Sequence, residues 1–405
     1  MAKKLWGGRF TKKVDEDFFE FQKSVQYDHK LAKYDIVHSM IHTWALGGAK
    51  LLSPTEKKKL LNALKKIRED IKNGKFKYDS TSEDIHTDIQ NKVEKKVGKL
   101  ALKLHTLRSR NDQIAFDEKS YCYDAAGSID KLLDEVLKSL KLLINKYKSV
   151  SVVGYTHTQR AQKVFFKDYI GAFYLMFERD KKRIFDFLQN PEIHIGAGAL
   201  AGSSIKAQYG KAIKEHMKNE KGLLFTPSLN TLDDVSNRDF IIELLSIVSI
   251  LQMHLSRLAE DMILYSTKEF NFVILPEEFC TGSSLMPHKK NPDFLELVRG
   301  YTGRIYGNLI SILVTMKGLP LTYNRDMQLD KEPLFSSVEI IKDELDIMEK
   351  FLKGIKLNEA AIEKALKDED LYAVALAERL VREQNIPFGK AHEIIGKKIA
   401  KRRIK

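Results

Sequence analysis

Two serines, two lysines, two prolines and an asparagine crowd into the segment Gly282-Ser283-Ser284-Leu285-Met286-Pro287-His288-Lys289-Lys290-Asn291-Pro292, with Glu296 shortly after it. Gly282 admits unusual backbone angles and the prolines limit the rest, so the segment reads as a loop that can move yet close into one shape. Hydroxyls, an ammonium group and an amide in one loop suit proton transfer with nearby charge stabilisation. The plainer reading is a polar surface loop before a helix starting near Asp293. Other polar, glycine-bearing blocks carry reactive groups. His157 lies in Gly154-Tyr155-Thr156-His157-Thr158-Gln159-Arg160-Ala161-Gln162, and His86 follows Thr81-Ser82-Glu83-Asp84-Ile85. Thr81 and Asp84 fit a capping box, with Ile85, Ile89 and Val93 as the buried face of the helix. Ser236 and Asn237, in Val235-Ser236-Asn237-Arg238-Asp239-Phe240, read equally as a helix N-cap. Taken singly, Arg110, Lys331 and Glu296 are ordinary surface charges. No metal-ligand triad and no phosphate-cradling glycine loop is visible in the sequence.

Long helices must position these blocks. The chain of 405 residues is long enough for a large core, and 9 Pro and 22 Gly are few breakers for that length. Ile129, Leu132, Leu133, Val136, Leu137, Leu140, Leu143 and Ile144 follow a helical period. Residues 160–189 and 295–317 are further long helical candidates, and Asp239 to Thr267 is apolar on nearly all sides in its first half. No strand run bounded by hairpin turn signals stands out. The expected fold class is all-α, a bundle of long helices. Residues 1–105 would form a small helical domain, 106–355 the long-helix bundle, and 356–405 a short C-terminal helical domain broken at Pro387 and Gly389.

The net charge of +13, from 68 Lys+Arg against 55 Asp+Glu, is spread in short lysine clusters. That distribution reads as a solvated surface, with no nucleic-acid partner, and its field favours an anionic substrate. Cys122 and Cys280 match no metal or redox spacing and read as plain buried thiols in a reducing compartment. The start has no apolar signal core, and Ile241–Leu255 is too short and too interrupted for a bilayer span, so no membrane partner and a cytoplasmic location are expected.

The Gly282–Pro292 loop resembles the signature loop of the fumarase/aspartase superfamily, whose members release fumarate by elimination. Further blocks resemble the argininosuccinate lyase family in particular. They are Leu5-Trp6-Gly7-Gly8-Arg9-Phe10, His105-Thr106-Leu107-Arg108-Ser109-Arg110-Asn111-Asp112-Gln113, and Leu321-Thr322-Tyr323-Asn324-Arg325-Asp326-Met327-Gln328-Leu329-Asp330-Lys331-Glu332. The His157 block and Gly196-Ala197-Gly198-Ala199-Leu200-Ala201-Gly202 agree with them. The resemblance implies elimination of argininosuccinate to arginine and fumarate, the last step of arginine biosynthesis, without a cofactor. Such a reaction needs a base at the carbon beside a carboxylate, an acid at the departing nitrogen, and positive charge where an aci-carboxylate forms.

By resemblance, Ser283 is the base, with Ser284 as the alternative, and Lys289 helps a transient alkoxide. His157 is the acid and Glu296 its partner. His86 is placed at the site entrance near the succinyl carboxylates. Ser24, Arg110, Asn111, Thr156 and Asn291 bind substrate, Tyr323, Gln328 and Lys331 hold its arginine part, and Ser236 and Arg238 are further candidates. The family also implies a homotetramer whose sites combine blocks from three subunits, with the apolar helix near Ile247 in the shared core. The sequence departs from the family at Lys163, where proline is usual, at Asn237, where Asp is usual, and at His288, where Gln is usual. Its shorter C-terminal end implies a trimmed last domain.

Overall fold

The computed structural model describes residues 11–189, 191, 193–218 and 223–403. The family-like block Leu5–Phe10 lies outside the described residues. Backbone contacts resolve two compact units: Met1–Ser128 with Arg183–Ser249 and Arg304–Glu339, and Ile129–Lys182 with Ile250–Gly303 and Ile340–Lys405. They are called unit 1 and unit 2 below.

The helices, in chain order, begin with α1 (Glu16–Gln22), α2 (Val25–Asp28), α3 (Ala32–Gly48), α4 (Pro54–Lys72), α5 (Ile85–Val97) and α6 (Arg110–Lys146). A hairpin follows, β1 (Ser151–Thr156) and β2 (Gln159–Phe165), then α7 (Phe166–Leu188). Next come β3 (Ile193–Ile195), α8 (Tyr209–Met217), β4 (Phe225–Pro227), α9 (Thr231–Ser236) and α10 (Asp239–Ser266). The last elements are β5 (Val273–Ile274), α11 (Asp293–Met316), α12 (Lys331–Gly354), β6 (Lys356–Leu357), α13 (Glu359–Leu366), α14 (Ala373–Gln384) and α15 (Phe388–Arg403). The fold is all-α, as expected. The block limits at 105/106 and 355/356 fall in the breaks before α6 and after α12, whereas the two units divide within α6, α7, α10, α11 and α12.

Local chemistry explains the helix ends. Ser53 and Glu56 form a reciprocal capping box at the start of α4, with Pro54 in its first turn. Asp84 caps α5 by accepting from the Thr87 N–H at 2.7 Å. Thr81 takes no part in that cap, because its own N–H and hydroxyl bond Asp79. Ile85, Ile89 and Val93 are buried, as the spacing required, and α5 stops at Gly98, whose φ is +61°. At the α9–α10 junction Asn237, and not Ser236, is the cap: its side chain accepts from the Asp239 N–H at 2.8 Å. Ser236 donates back to Leu232 O at 3.0 Å.

The sequence reading missed one element. Residues 151–165 form an antiparallel hairpin, so the helix expected from residue 160 starts only at Phe166. The turn is His157-Thr158, both with positive φ (54° and 57°), the twist that a two-residue hairpin requires. Neither residue advertises that conformation as Asn-Gly would, which is why the turn was not legible. Two shorter strand pairs, β3 with β4 and β5 with β6, complete the sheet content of the described residues.

The apolar helix is longer than Ile241–Leu255: α10 has 28 residues, enough by length and composition to cross a bilayer. Its apolar side chains Ile241, Leu244, Leu245, Val248, Leu251, Leu255, Leu258 and Met262 are nevertheless buried in the chain's own core. Helix α11 keeps apolar surface: Leu297 is 57% and Ile310 59% exposed, and Tyr306, Leu313 and Val314 are exposed too. Cys122 is buried as expected. Cys280 is half-exposed, since it stands beside the open loop that begins at Thr281.

Glu344, on α12, is buried in unit 2. Burial pushes its carboxyl up to about 8, and the Gln252 amide lowers it only in part. A carboxyl raised in the folded state stabilises most below its unfolded value, and that stability is lost as pH rises through the folded one. We predict that Glu344→Gln leaves stability nearly unchanged at pH 4.5 and raises it increasingly toward pH 8, by up to about 1.4 kcal/mol per pH unit. Urea melts across that range check it; a pH-independent difference would contradict the assignment.

Candidate active site

In unit 1 the start of α6 gathers distant segments. Arg110 spreads its guanidinium over the start of α5. Its Nε lies 3.0 Å from Asp84 Oδ2, and its other nitrogens donate to Thr87 Oγ1 at 3.1 Å and Gln113 Oε1 at 2.8 Å. Gln113 in turn donates to Asp35 Oδ1 on α3 at 2.6 Å. Asn111 bonds the Ser109 hydroxyl through its N–H at 3.2 Å and keeps its side chain half-buried. Asp112 accepts from the Gly198 N–H at 3.0 Å, which ties the Gly196–Gly202 block to the same helix start.

His86, in the first turn of α5, is fully buried. Its Nδ1 stands 3.4 Å from both Asp35 Oδ1 and Asp117 Oδ2. The resemblance implies a place for His86 at the site entrance; in this chain the imidazole lies buried between two carboxyl groups. Burial would raise the Asp35 acid, but contact with His86 and the charges of Arg108 and Arg110 outweigh it and hold Asp35 low. Burial and the neighbouring Asp35 charge instead raise Asp117 well above its ordinary value. The two carboxyls that flank the ring are thus pushed in opposite directions, Asp35 toward the charged form and Asp117 toward the neutral one. These three groups, with ligand-type atoms within 4.8 Å of one another, form a trio that could hold a metal ion. Arg108 and Arg110 already supply positive charge to both carboxyls.

Ser24 donates to Asp28 Oδ2 at 2.6 Å, and Asp28 Oδ1 accepts from the Ile85 N–H at 3.0 Å. Burial, and then the nearby Asp84 charge, push the Asp28 carboxyl up. The segment before α12 closes over this region. Gln328 donates to Gln22 O at 2.9 Å and to the Tyr27 hydroxyl at 3.3 Å, and Arg325 donates to Gln22 O at 3.1 Å. Tyr323 is half-buried, and burial raises its phenol.

Lys331 and Arg238 belong to a buried four-charge ring. Arg238 Nε lies 2.6 Å from Asp330 Oδ2 and 3.1 Å from Glu118 Oε2. Lys331 Nζ lies 2.6 Å from Glu118 Oε1 and 2.9 Å from Asp330 Oδ1. Burial alone would lower the Lys331 ammonium, but Asp330 and Glu118 overturn that and raise it. The structure thus pairs both expected substrate-binding cations with the chain's own carboxylates. Ser236 sits two residues before Arg238 with its hydroxyl turned to its own helix. Asp28, Asp35, Asp117 and Glu118 were not singled out from sequence. The available signal was that Asp117 and Glu118 directly follow the apolar run Ile114-Ala115-Phe116 in α6.

Unit 2 carries the remaining candidates, and they are far more open. Thr156 and His157 are exposed at the tip of the β1–β2 hairpin. The Gly282–Pro292 loop is pinched at its base, where Thr281 and Asn291 exchange backbone bonds of 3.1 and 2.8 Å. The Asn291 side chain reinforces that base by donating to Gly282 O at 3.3 Å. Ser283 Oγ accepts from the N–H groups of Leu285 at 3.3 Å and Met286 at 3.0 Å. Ser284, His288 and Lys289 are exposed, and Glu296 is exposed in the first turn of α11. No hydrogen bond or ion pair joins the hairpin tip to the loop among the described residues.

A family model described as a lyase matches residues 8–307. The chain is 43% identical over 400 residues to an argininosuccinate lyase of Geotalea daltonii, covering 98% of this chain and 85% of that protein. It is also 43% identical over 403 residues to an argininosuccinate lyase of Legionella pneumophila, covering 99% of this chain and 96% of that protein. Among solved structures, a fumarate lyase:delta crystallin from Brucella melitensis superposes with a TM-score of 0.78. It is 19% identical, and the match covers 92% of this chain and 85% of that one, a likeness of fold.

The four-charge ring yields a stability prediction. Glu118→Gln strands an uncompensated positive charge inside unit 1 and should cost about 3–5 kcal/mol in urea unfolding. The double variant Glu118→Leu with Lys331→Met restores charge balance and should recover much of that loss. A loss in the double variant equal to the sum of the two single losses would refute the coupling.

Proposed function

We propose that this chain, which belongs to the argininosuccinate lyase family, reversibly eliminates argininosuccinate to L-arginine and fumarate. Ser283 removes the proton from the carbon next to a succinyl carboxylate, and the electron pair moves onto that carboxylate as an aci-carboxylate. The C–N bond then breaks, with His157 donating a proton to the departing guanidinium nitrogen. Glu296 serves as the partner that tunes His157, and Lys289 supplies positive charge.

The observation that carries the base assignment is the pair of backbone N–H groups aimed at Ser283 Oγ. Donors fixed on a hydroxyl oxygen favour its alkoxide, which is what a serine base needs. Ser284 has no such donors among the described residues, which favours Ser283 of the two. In unit 1, Ser24, His86, Arg110, Asn111, Tyr323, Gln328 and Lys331 surround a polar region suited to the carboxylates and amino-acid end of the substrate. Asp35 and Asp117 flank the His86 ring, while Asp330 and Glu118 hold Lys331. Thr156 and Asn291 complete the substrate contacts from the hairpin and the loop, and Ser236 lies at the margin.

The reading includes a homotetramer in which several chains share each site, in the cytoplasm. The apolar side chains left exposed on α11 support burial against further copies. Cys122 and Cys280, both free thiols, suit a reducing compartment.

Purified protein given argininosuccinate should release fumarate, followed by its ultraviolet absorbance, with no release from adenylosuccinate, aspartate or malate. Release from one of those instead would keep the superfamily chemistry and overturn the substrate. Ser283→Ala should abolish turnover while substrate still binds, and near-normal turnover would sink the base assignment. His157→Asn should slow turnover about 10²–10⁴-fold, the usual contribution of a general acid. A loss confined to KM would remove it from that role.

A further inference from the structure

A cavity of about 470 Å³ opens behind the β1–β2 hairpin in unit 2. Its walls include Tyr155 from the hairpin, Asp168 and Tyr169 from the start of α7, Asp261 and Tyr265 from α10, and Phe270. The rings form a continuous aromatic wall. Tyr155 stands 6.0 Å from Tyr265 and 5.3 Å from Phe270, and Tyr169 stands 5.7 Å from Tyr265. The Tyr169 hydroxyl donates to Asp261, which orients that carboxylate. No lysine, arginine or histidine is among the described residues that line the cavity. Two cations stand at its margin: Arg257 acts on Asp261, and Arg160, beside Tyr155, pairs with Asp368 at 3.1 Å. Burial raises the Tyr155, Tyr169 and Tyr265 phenols, so they remain neutral rings with electron-rich faces.

Aromatic faces and carboxylates, with no cation among the lining side chains, form the recognition chemistry of an organic cation. An anion would meet two carboxylates, and a purely apolar ligand would satisfy neither charge. We propose that this cavity binds a small organic cation, a guanidinium or an alkylated ammonium, by cation–π contact with the tyrosine wall and charge pairing with Asp168 and Asp261. The cavity is spatially tied to the hairpin tip. Tyr155 and Thr158, which bracket Thr156 and His157 in sequence, both line it. An occupant therefore braces the turn that carries His157, while the binding itself does not depend on the lyase activity.

Isothermal titration of the intact protein with N-methylguanidinium and with tetramethylammonium tests this, with the neutral N-methylurea as control. The expected result is saturable millimolar binding of a cation and none of N-methylurea. Asp168→Asn, an exposed position in the first turn of α7, should weaken that binding about twofold to fivefold, as loss of one exposed charge pair allows. Asp261→Asn should weaken it at least as much. Absence of saturable cation binding, or equal binding of N-methylurea, overturns the proposal. Cation binding unchanged by Asp168→Asn also overturns it, because that result places the cation elsewhere, the proposed catalytic site included. Asp168→Asn decides the matter should Asp261→Asn fail to fold.

Discussion

Arg238, Lys331, Glu118 and Asp330 are withdrawn from water together inside unit 1, and their mutual neutrality makes that burial tolerable. Each charge alone would carry a desolvation cost of several kcal/mol. Two cations and two carboxylates in alternation return most of it, but only at one geometry. Glu118 rides on α6, Arg238 stands at the start of α10, and Asp330 and Lys331 stand at the start of α12. The ring therefore fixes the mutual register of three long helices within that unit. Apolar packing alone would fill the space without specifying the register so sharply.

The polar region beside the ring inherits that precision. Arg110 spans from α6 to α5, Gln113 reaches α3, and His86 is clamped between Asp35 and Asp117. A residue so held spends no binding energy on being ordered when a ligand arrives. The hairpin tip and the Gly282–Pro292 loop show the opposite design. Thr156, His157, Ser284 and Lys289 are exposed, and the loop is secured at its base by the Thr281–Asn291 bridge. Exposed side chains and a loop secured only at its base belong at the loosely held end of the stability range.

Helix α11 and helix α10 show how similar composition leads to different roles. Both are strongly apolar, yet α10 buries its side chains in the chain's own core while α11 leaves Leu297, Ile310 and Val314 largely exposed. Sequence pointed to the α10 region as the shared core of an assembly, since all-round apolarity does not say which neighbours supply the cover.

What the sequence determined by itself was local or carried by contiguous strings. The periodic apolar positions Ile129 to Leu143 made α6 a helix, Asp84 made a cap, and the Gly282–Pro292, Arg108–Gln113 and Tyr323–Glu332 blocks named the chemistry. These signals survive because neighbouring residues alone create them. The tertiary structure decided the rest. It alone turned His157-Thr158 into a positive-φ hairpin tip, since the conformation of those residues is set by the pairing of β1 with β2 and not by their own preference. It alone placed Asp35, His86 and Asp117 around one point and matched Arg238 and Lys331 with Glu118 and Asp330. Partners so far apart in sequence carry no local signature. Their pairing follows from how buried helices satisfy their charges against one another, and that is settled only when the helices pack.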